Sequence, residues 1–381
     1  MDLTPHPLRI LHLTAGSDAG GLSRYLIDLC SRLRQKGHEV TIAGQRGAWH
    51  DEFERAALPW LDLPIKGGPI AMWRTLSILH DWLHAHPVDL IHTHYRRATI
   101  VARRLQHGKA PPPILYTVHL SDLSLAGPRR WLTDFGDHTH VPSDEAREWV
   151  IGAGGVPAEQ VTLIAHGIDP ARFPLADVET KASAKMALGF TRAVPVGAFV
   201  GRFDVPKNEQ WILDLAERSR EKLPRVRFVL LGEGPHEPEL RRRIESSRLG
   251  DRVKLLPRQD PLRVYEAASA LLLPSAREGF SLVCAEAMSV GVPVLRTRTA
   301  GTAQLIREGV TGGSVPVEHG AFIDGAIAFL SDPDSLQRMG QAAAEHVRAH
   351  FLLDQQVERT LALYARLRTH GVEPGASSTK A

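Results

Sequence analysis

Two carboxylates, Glu278 and Glu286, stand seven residues apart in a segment built like a binding site. The stretch runs Pro274-Ser275-Ala276-Arg277-Glu278-Gly279-Phe280-Ser281-Leu282, then through Glu286 to Gly291-Val292-Pro293-Val294. Ser281 is placed to begin a helix and Gly291 to end it. The first amides of that helix, at Leu282 and Val283, have no intrahelical partner. They sit at the positive end of its dipole, which suits a phosphate. At ~1.5 Å rise per residue the two carboxylates flank this amide cluster, roughly 10 Å apart. A sugar nucleotide has that layout: hexose hydroxyls, diphosphate, ribose hydroxyls. A plainer reading stays open, in which Glu278 complements the helix dipole and Glu286 pairs with a core arginine.

A second set lies some seventy residues earlier. Residues 196–203 read as a strand ending in Gly201-Arg202-Phe203, and Lys207-Asn208 opens a helix. Two cations at a strand-to-helix turn fit a diphosphate, because opposite charges in a cleft of low dielectric attract strongly. The bland alternative is two surface cations on a loop. Near the N-terminus, Gly16, Gly20 and Gly21 precede a helical pattern through Leu22, Leu26, Leu29 and Leu33, stopped by Gly37. This is not G-x-G-x-x-G. The following strand ends in Ala43-Gly44-Gln45, without the acid that would hold an NAD ribose. A dehydrogenase is therefore disfavoured.

The elements that must hold these residues alternate. Strands are expected at residues 8–13, 39–43, 88–94, 113–119, 161–164, 196–203, 226–231 and 270–273, with helices between several of them. That alternation implies parallel α/β sheets whose ligands gather at the C-terminal strand ends. His94 and His119 fall at such ends, and His92 shares a strand face with His94. The three histidines could approach a metal, but no local carboxylate or cysteine completes a set, and no metal is expected.

The chain has 381 residues, enough for two domains, and a formal net charge of +3, too small to argue for nucleic acid. No apolar run reaches the ~18 residues of a membrane helix. Met1-Asp2-Leu3-Thr4-Pro5 does not resemble a signal peptide. Cys30 and Cys284, the only cysteines, suggest no disulfide framework, so a cytoplasmic location is expected.

The full string from Pro274 to Val294 resembles the E-x7-E signature of the large retaining glycosyltransferase family with the GT-B fold, family 4 or group 1. The spacing from Gly201-Arg202 to Lys207 resembles that family's diphosphate-binding pair. The resemblance implies two Rossmann-like domains facing a central cleft, residues 1–172 and 173–350. A last helix, about 351–370, crosses back to the first domain, and residues 371–381 form a disordered tail. It implies that Glu278, Gly279, Phe280, Ser281 and Leu282 hold the donor sugar and that Glu286 holds the ribose. Arg202 and Lys207 then take the diphosphate, while Gly234 and Arg258 line the nucleotide side. Gly20, Gly21 and Arg24 resemble the family's Gly-Gly-x-x-Arg start, a loop near the donor phosphates or acceptor, which implies that Gly20 and Gly21 bind the donor. His119 matches a strand-end histidine placed near the transferred sugar, but Leu120 occupies its acidic neighbour's place and Asp122 comes two later. His166 replaces an Asn in His166-Gly167-Ile168-Asp169, and Thr302 replaces the second glycine of a Gly-Gly loop at Gly301. Residues 175–192 read as a polar linker.

The resemblance implies transfer of a sugar from a UDP- or GDP-linked donor to an acceptor hydroxyl, without metal or other cofactor. Catalysis would involve His119, Arg202, Lys207 and Glu278. A glycan or lipid-linked acceptor is the favoured class. Alternatives are a GT-B sugar-nucleotide epimerase and a non-catalytic carbohydrate-binding protein. Residues 95–109 read as a basic helix. Arg96 shares a face with Arg103, and Arg97 with Arg104, either as a solvated surface or as a dock for anionic lipid at the inner face of the membrane. Residues 128–132, with Trp131, could add an aromatic anchor.

Overall fold

The structure, a computed structural model, describes residues 6–106, 111–119, 125, 130 and 133–370. The chain divides into two compact units, Met1–Ala165 with Asp354–Ala381, and His166–Leu353. The first holds seven parallel strands: β1 (Arg9–Gly16), β2 (Glu39–Gln45), β3 (Trp60–Asp62), β4 (Leu90–Thr93), β5 (Ile114–Thr117), β6 (His138–Val141) and β7 (Val161–Leu163). Their spatial order is β3-β2-β1-β4-β5-β6-β7. The second holds six: β8 (Val196–Val200), β9 (Arg227–Leu231), β10 (Val253–Leu256), β11 (Ala270–Leu273), β12 (Val294–Thr297) and β13 (Gly312–Val315). They lie in the order β10-β9-β8-β11-β12-β13, again all parallel.

Both sheets are therefore doubly wound, as the alternation of elements predicts. Each reverses its strand order once, between β1 and β4 and between β8 and β11. Ligands of such sheets bind beyond the carboxyl ends of the strands at that reversal. The apolar runs of β8 and β11 are buried at every position, as strands covered on both faces require.

Among the differences from the sequence reading, three have identifiable reasons. Residues 175–192 are not a linker. They hold the helix Val178–Ala187, whose Asp177 carboxylate accepts from the Thr180 amide at 2.7 Å. This helix packs on the helix Leu262–Ala267. Strand β6, His-Thr-His-Val, is polar in sequence yet buried throughout. Its polarity is absorbed by hydrogen bonds, from His138 to Thr162 at 2.8 Å and from His140 to the Ile164 carbonyl at 2.7 Å. The exit segment that begins at His166 belongs with the second unit. The Ile168 amide donates to Phe351 O, the Leu353 amide donates to Ile168 O, and the Ser289 hydroxyl donates to Phe173 O.

The helix Leu353–His370 supplies Tyr364 and Arg366 to the first unit. Arg366 donates to the Thr162 hydroxyl at 2.9 Å. Leu120, Asp122, Trp131 and residues 371–381 lie outside the described residues.

Candidate active site

In the second unit, three loops converge beyond the strand reversal. The Gly201 amide donates to Leu231 O and the Phe203 amide to Glu233 O, which ties the loop after β8 to the loop after β9. Gly232 is required there, because a Cβ on it would stand 1.9 Å from the Gly201 carbonyl oxygen. The Asn208 side chain donates to Pro274 O at 2.9 Å, and the Ala276 amide donates to Pro206 O at 2.7 Å. These bonds tie the loop after β8 to the loop after β11. Lys207 and Glu278 are thereby brought together, with Nζ donating to Oε1 at 2.6 Å.

Glu278 is nearly buried, with 11% of its side chain exposed, so its ionisation is decided by its neighbours. Burial pushes the carboxyl up. The charges of Lys207 and Arg296 and hydrogen bonds from Lys207 and Ser275 outweigh it, and the net position is below the ordinary value. Arg296, on β12, is fully buried. Its Nη2 donates to the Thr299 hydroxyl at 2.6 Å, while Nε and Nη1 have no hydrogen-bond partner among the described residues. The sequence reading missed Arg296. The available signal was a cation directly after the apolar run Val292-Pro293-Val294-Leu295.

The helix after this loop is Leu282–Ser289. Ser281 takes the N-cap position, as expected, but its hydroxyl makes no capping bond. Ser281 therefore leaves uncapped the amides at the head of the helix, where an anion would bind. Glu286 is buried, and Tyr265 donates to its Oε2 at 2.8 Å. Burial, then the adjacent Glu286 charge, raises the Tyr265 phenol well above its ordinary value, so it remains a donor. Phe280 packs edge-on against His166, with ring centroids 5.5 Å apart.

Arg202 is half-exposed and pairs with Asp204 at 2.7 Å. Arg258 lies 3.9 Å from Glu233, across the loops after β10 and β9. Gly301, at φ 74°, leaves room for Gly279, whose carbonyl oxygen would stand 2.8 Å from an added Cβ. Thr302 substitutes a hydroxyl staple for a second glycine, accepting from the Thr299 amide and donating to its carbonyl.

The corresponding end of the first sheet is lined by imidazoles. Burial drives the His140 pKa down to about 4, so its ring is neutral near pH 7. Nε2 of that ring faces the Ile164 carbonyl, which can only accept, so Nε2 carries the proton. Nδ1 must then accept from the Thr117 hydroxyl at 2.8 Å. Thr117 in turn accepts from His92 Nε2 at 2.6 Å, leaving His92 Nδ1 to accept from Tyr364 at 2.6 Å. The proton direction of the whole chain follows from one carbonyl.

His12, His92 and His94 each bring a ring nitrogen within 4.8 Å of the others. Both nitrogens of His92 are held by Thr117 and Tyr364, so this trio does not offer three open ligands. His119 bonds His94 at 3.2 Å and packs edge-on against Tyr25. Gly20 takes the N-cap position of the helix Gly21–Gln35, and Arg24 pairs along it with Asp28.

The basic helix is Arg96–Arg104, and its arginines do not form one free cationic face. Arg103 is held by Asp134 at 2.8 Å and Asp137 at 2.6 Å, Arg97 donates to Gly67 O, and Arg104 is exposed. No helix among the described residues is long and apolar enough to cross a membrane.

Comparison with known proteins bears on both units. Residues 187–346 match the family described as glycosyl transferases group 1, and residues 19–172 match glycosyltransferase family 4. The D-inositol 3-phosphate glycosyltransferase of Mycobacterium marinum is 30% identical over 92% of this chain and 82% of its own length. The enzyme of that name from Nocardia farcinica is 28% identical over 95% and 88%. Among solved structures, Anabaena Alr3699/HepE in complex with UDP and glucose matches with a TM-score of 0.79 and 19% identity, covering 94% of this chain and 99% of that one. Sucrose-phosphate synthase from Thermosynechococcus elongatus matches with a TM-score of 0.80 and 22% identity, covering 95% and 100%. With both family segments in chain order and a relative at 30% identity along most of its length, the chain belongs to the group 1, family 4 glycosyltransferases and has the GT-B fold.

Proposed function

We propose that this glycosyltransferase moves a sugar from a nucleoside diphosphate to an acceptor hydroxyl with retention of anomeric configuration. The observation that carries the reading is the Lys207–Glu278 pair, set beside uncapped helix amides at the strand reversal of the second unit. Lys207, Arg202 and the amides from Leu282 onward take the charge that builds on the departing diphosphate. Such fixed dipoles and cations are usually the largest catalytic contribution. Glu278 and the backbone of Gly279, Phe280 and Ser281 hold the donor sugar. Glu286, fixed by Tyr265, holds the ribose, and Gly234 and Arg258 lie on the nucleotide side. In this reading the cations do the work of a divalent metal, and no cofactor is needed.

A nucleotide-sugar donor draws support from the UDP and UDP-glucose complexes of Anabaena Alr3699/HepE. His119 serves the transferred sugar, and Gly20 and Gly21 serve the donor. The names of the curated relatives favour a phosphorylated polyol as acceptor, alongside a glycan or lipid-linked one at a membrane surface. Purified protein incubated with UDP-, GDP- and ADP-sugars, with inositol phosphates or lipid-linked glycans, tests this. Transfer that persists in EDTA and is lost in Glu278→Gln is expected. Donor conversion that needs no acceptor, or full activity in Glu278→Gln, overturns it.

A further inference from the structure

The amino ends of β9 and β10 carry a group of cations that the donor crevice does not use. Arg227 opens β9, and Arg252 stands directly before β10, where the Phe228 amide donates to Arg252 O at 2.7 Å. Lys254 follows on β10. A hollow of about 440 Å³ lies here, with Arg227, Asp251, Arg252 and Lys254 among its walls. Lys254 Nζ reaches two further wall residues. It donates to Leu188 O at 2.6 Å and would stand 3.5 Å from a Cβ on Gly189. The loops assigned to the diphosphate follow the carboxyl ends of β8 and β9. At about 3.3 Å per residue, the five residues of β9 put roughly 15 Å between the two places.

Cations elsewhere in this unit face carboxylates. Lys207 pairs with Glu278, Arg241 with Glu237 and Arg243 with Asp214, all at 2.5–2.7 Å. The group at the amino ends is held by neutral oxygens instead. Arg220 donates to Ser247 O and Arg248 O, Arg227 to Pro224 O and Val226 O, and Arg252 to the Ser219 hydroxyl and Leu223 O. Arg220 and Lys254 are exposed and can leave their charge to water. Arg252 cannot, being 5% exposed, and its Nε is buried without a hydrogen-bond partner among the described residues. Burial, then the charges of Arg227 and Arg220, disfavours its charged form, and Asp251, which is exposed and makes no ion pair with it, only partly offsets them. A buried guanidinium among like charges, with a donor unspent, is costly unless an anion completes it.

We propose that this hollow is a second anion site, separate from the donor crevice, which takes a phosphate-type dianion: free phosphate or the phosphate of a small monoester. Arg227, Arg252 and Lys254 against Asp251 leave two positive charges in the walls, which a dianion balances. The guanidinium fork matches phosphate oxygens in spacing and plane. The hollow has room for a small carbon skeleton beside the phosphate. This site goes beyond the transferase reading and does not rest on it.

Calorimetric titration of the intact protein at about pH 7.5, where a phosphate monoester is mostly the dianion, tests it. Inorganic phosphate is used in one arm and glycerol 3-phosphate in the other, both at constant ionic strength, and the tighter binder identifies the source of the phosphate. Saturable binding with Kd below about 1 mM is expected in at least one arm. Arg227→Gln and Lys254→Gln should each weaken it about ten-fold, the scale of one charge-assisted hydrogen bond. Lys207→Ala and Arg241→Gln should leave it unchanged. Arg252→Gln should abolish it, and where that variant does not fold the other two carry the test. No saturable binding in either arm, or equal weakening in Arg241→Gln and Arg227→Gln, overturns the site. Binding lost in Lys207→Ala but kept in Arg227→Gln and Lys254→Gln places the anion in the donor crevice and overturns it as well. Failure of the transferase reading is seen separately, as Glu278→Gln retaining full activity.

Discussion

The two sheets reverse strand order in the same way, yet the crevices they create are furnished with opposite chemistry. Beyond β8 and β11 the second unit holds ionised groups: Lys207 on Glu278, and Arg296 buried nearby. On and just beyond its central strands the first unit holds uncharged rings, with His12, His92, His94 and His140 at most 1% exposed and joined through hydroxyls and one another. One crevice keeps its charges by pairing them, and the other removes charge by desolvation. The contrast suits a diphosphate in the first case and neutral hydroxyl-bearing groups in the second.

Acid gives the largest expected break in that symmetry. The four buried histidines have depressed folded pKa values, about 3 for His12 and about 4 for His140. Unfolded chain takes protons first, so their contribution to stability is whole above the unfolded value of 6.5 and is lost as pH falls below it. Each ring loses about 1 kcal/mol between pH 6.5 and 5.5, and the four together about 4 kcal/mol, a large part of a domain's whole stability. Glu278 has the opposite dependence in a lower window. Its stabilisation is present above the ordinary carboxylate value and fades only as pH falls through its depressed folded value. Hydrogen exchange at about pH 5.5 should therefore open the first unit while the second stays protected. Equal opening of both would refute the contrast.

Next in size is Lys207→Ala. Losing one partner of a buried pair costs about 3–5 kcal/mol, and roughly half of that is expected here because Lys207 is partly exposed and Arg296 remains. Transfer should fall at least ~100-fold, the scale of a lost charge-stabilising donor. A melting curve and a donor-saturated assay on the same sample check both. Tyr265→Phe follows, removing one hydrogen bond to the Glu286 carboxylate at a cost of about 1 kcal/mol. Weaker donor binding, read as raised KM, should accompany the loss.

The sequence carried the second crevice further than the first. Glu278, Lys207, Glu286 and Arg202 announce themselves because charges are rare in apolar strand-to-helix units, and their spacing is local. Arg296 and Tyr265 escaped because the carboxylates they serve, Glu278 and Glu286, lie 18 and 21 residues away, a relation that exists only once the second unit has folded. The imidazole network was half legible. Period two put His92 and His94 on one face, but His12, His140 and Tyr364 join them across strands and from the last helix. Strand β6 was missed because His-Thr-His-Val has no apolar alternation. Its burial becomes tolerable only when Thr117, Thr162 and the Ile164 carbonyl are in place.

The smallest expected effect separates two neighbours on the helix Arg96–Arg104. Sequence spacing treats Arg103 and Arg104 alike, as members of one cationic surface. In the fold Arg103 is bound by two carboxylates, and these raise its pKa despite the opposing effect of burial. Its side chain is 37% exposed, so solvent screening holds the contribution of the network to about 1 kcal/mol or less. Arg103→Ala should lower the melting temperature by a few degrees, and added salt should shrink the difference. Arg104→Ala should leave stability unchanged but reduce any binding to anionic vesicles, since Arg104 is exposed. If instead Arg103→Ala left stability untouched and alone weakened vesicle binding, Asp134 and Asp137 would not be holding it, and the cationic face would have to be redrawn around it.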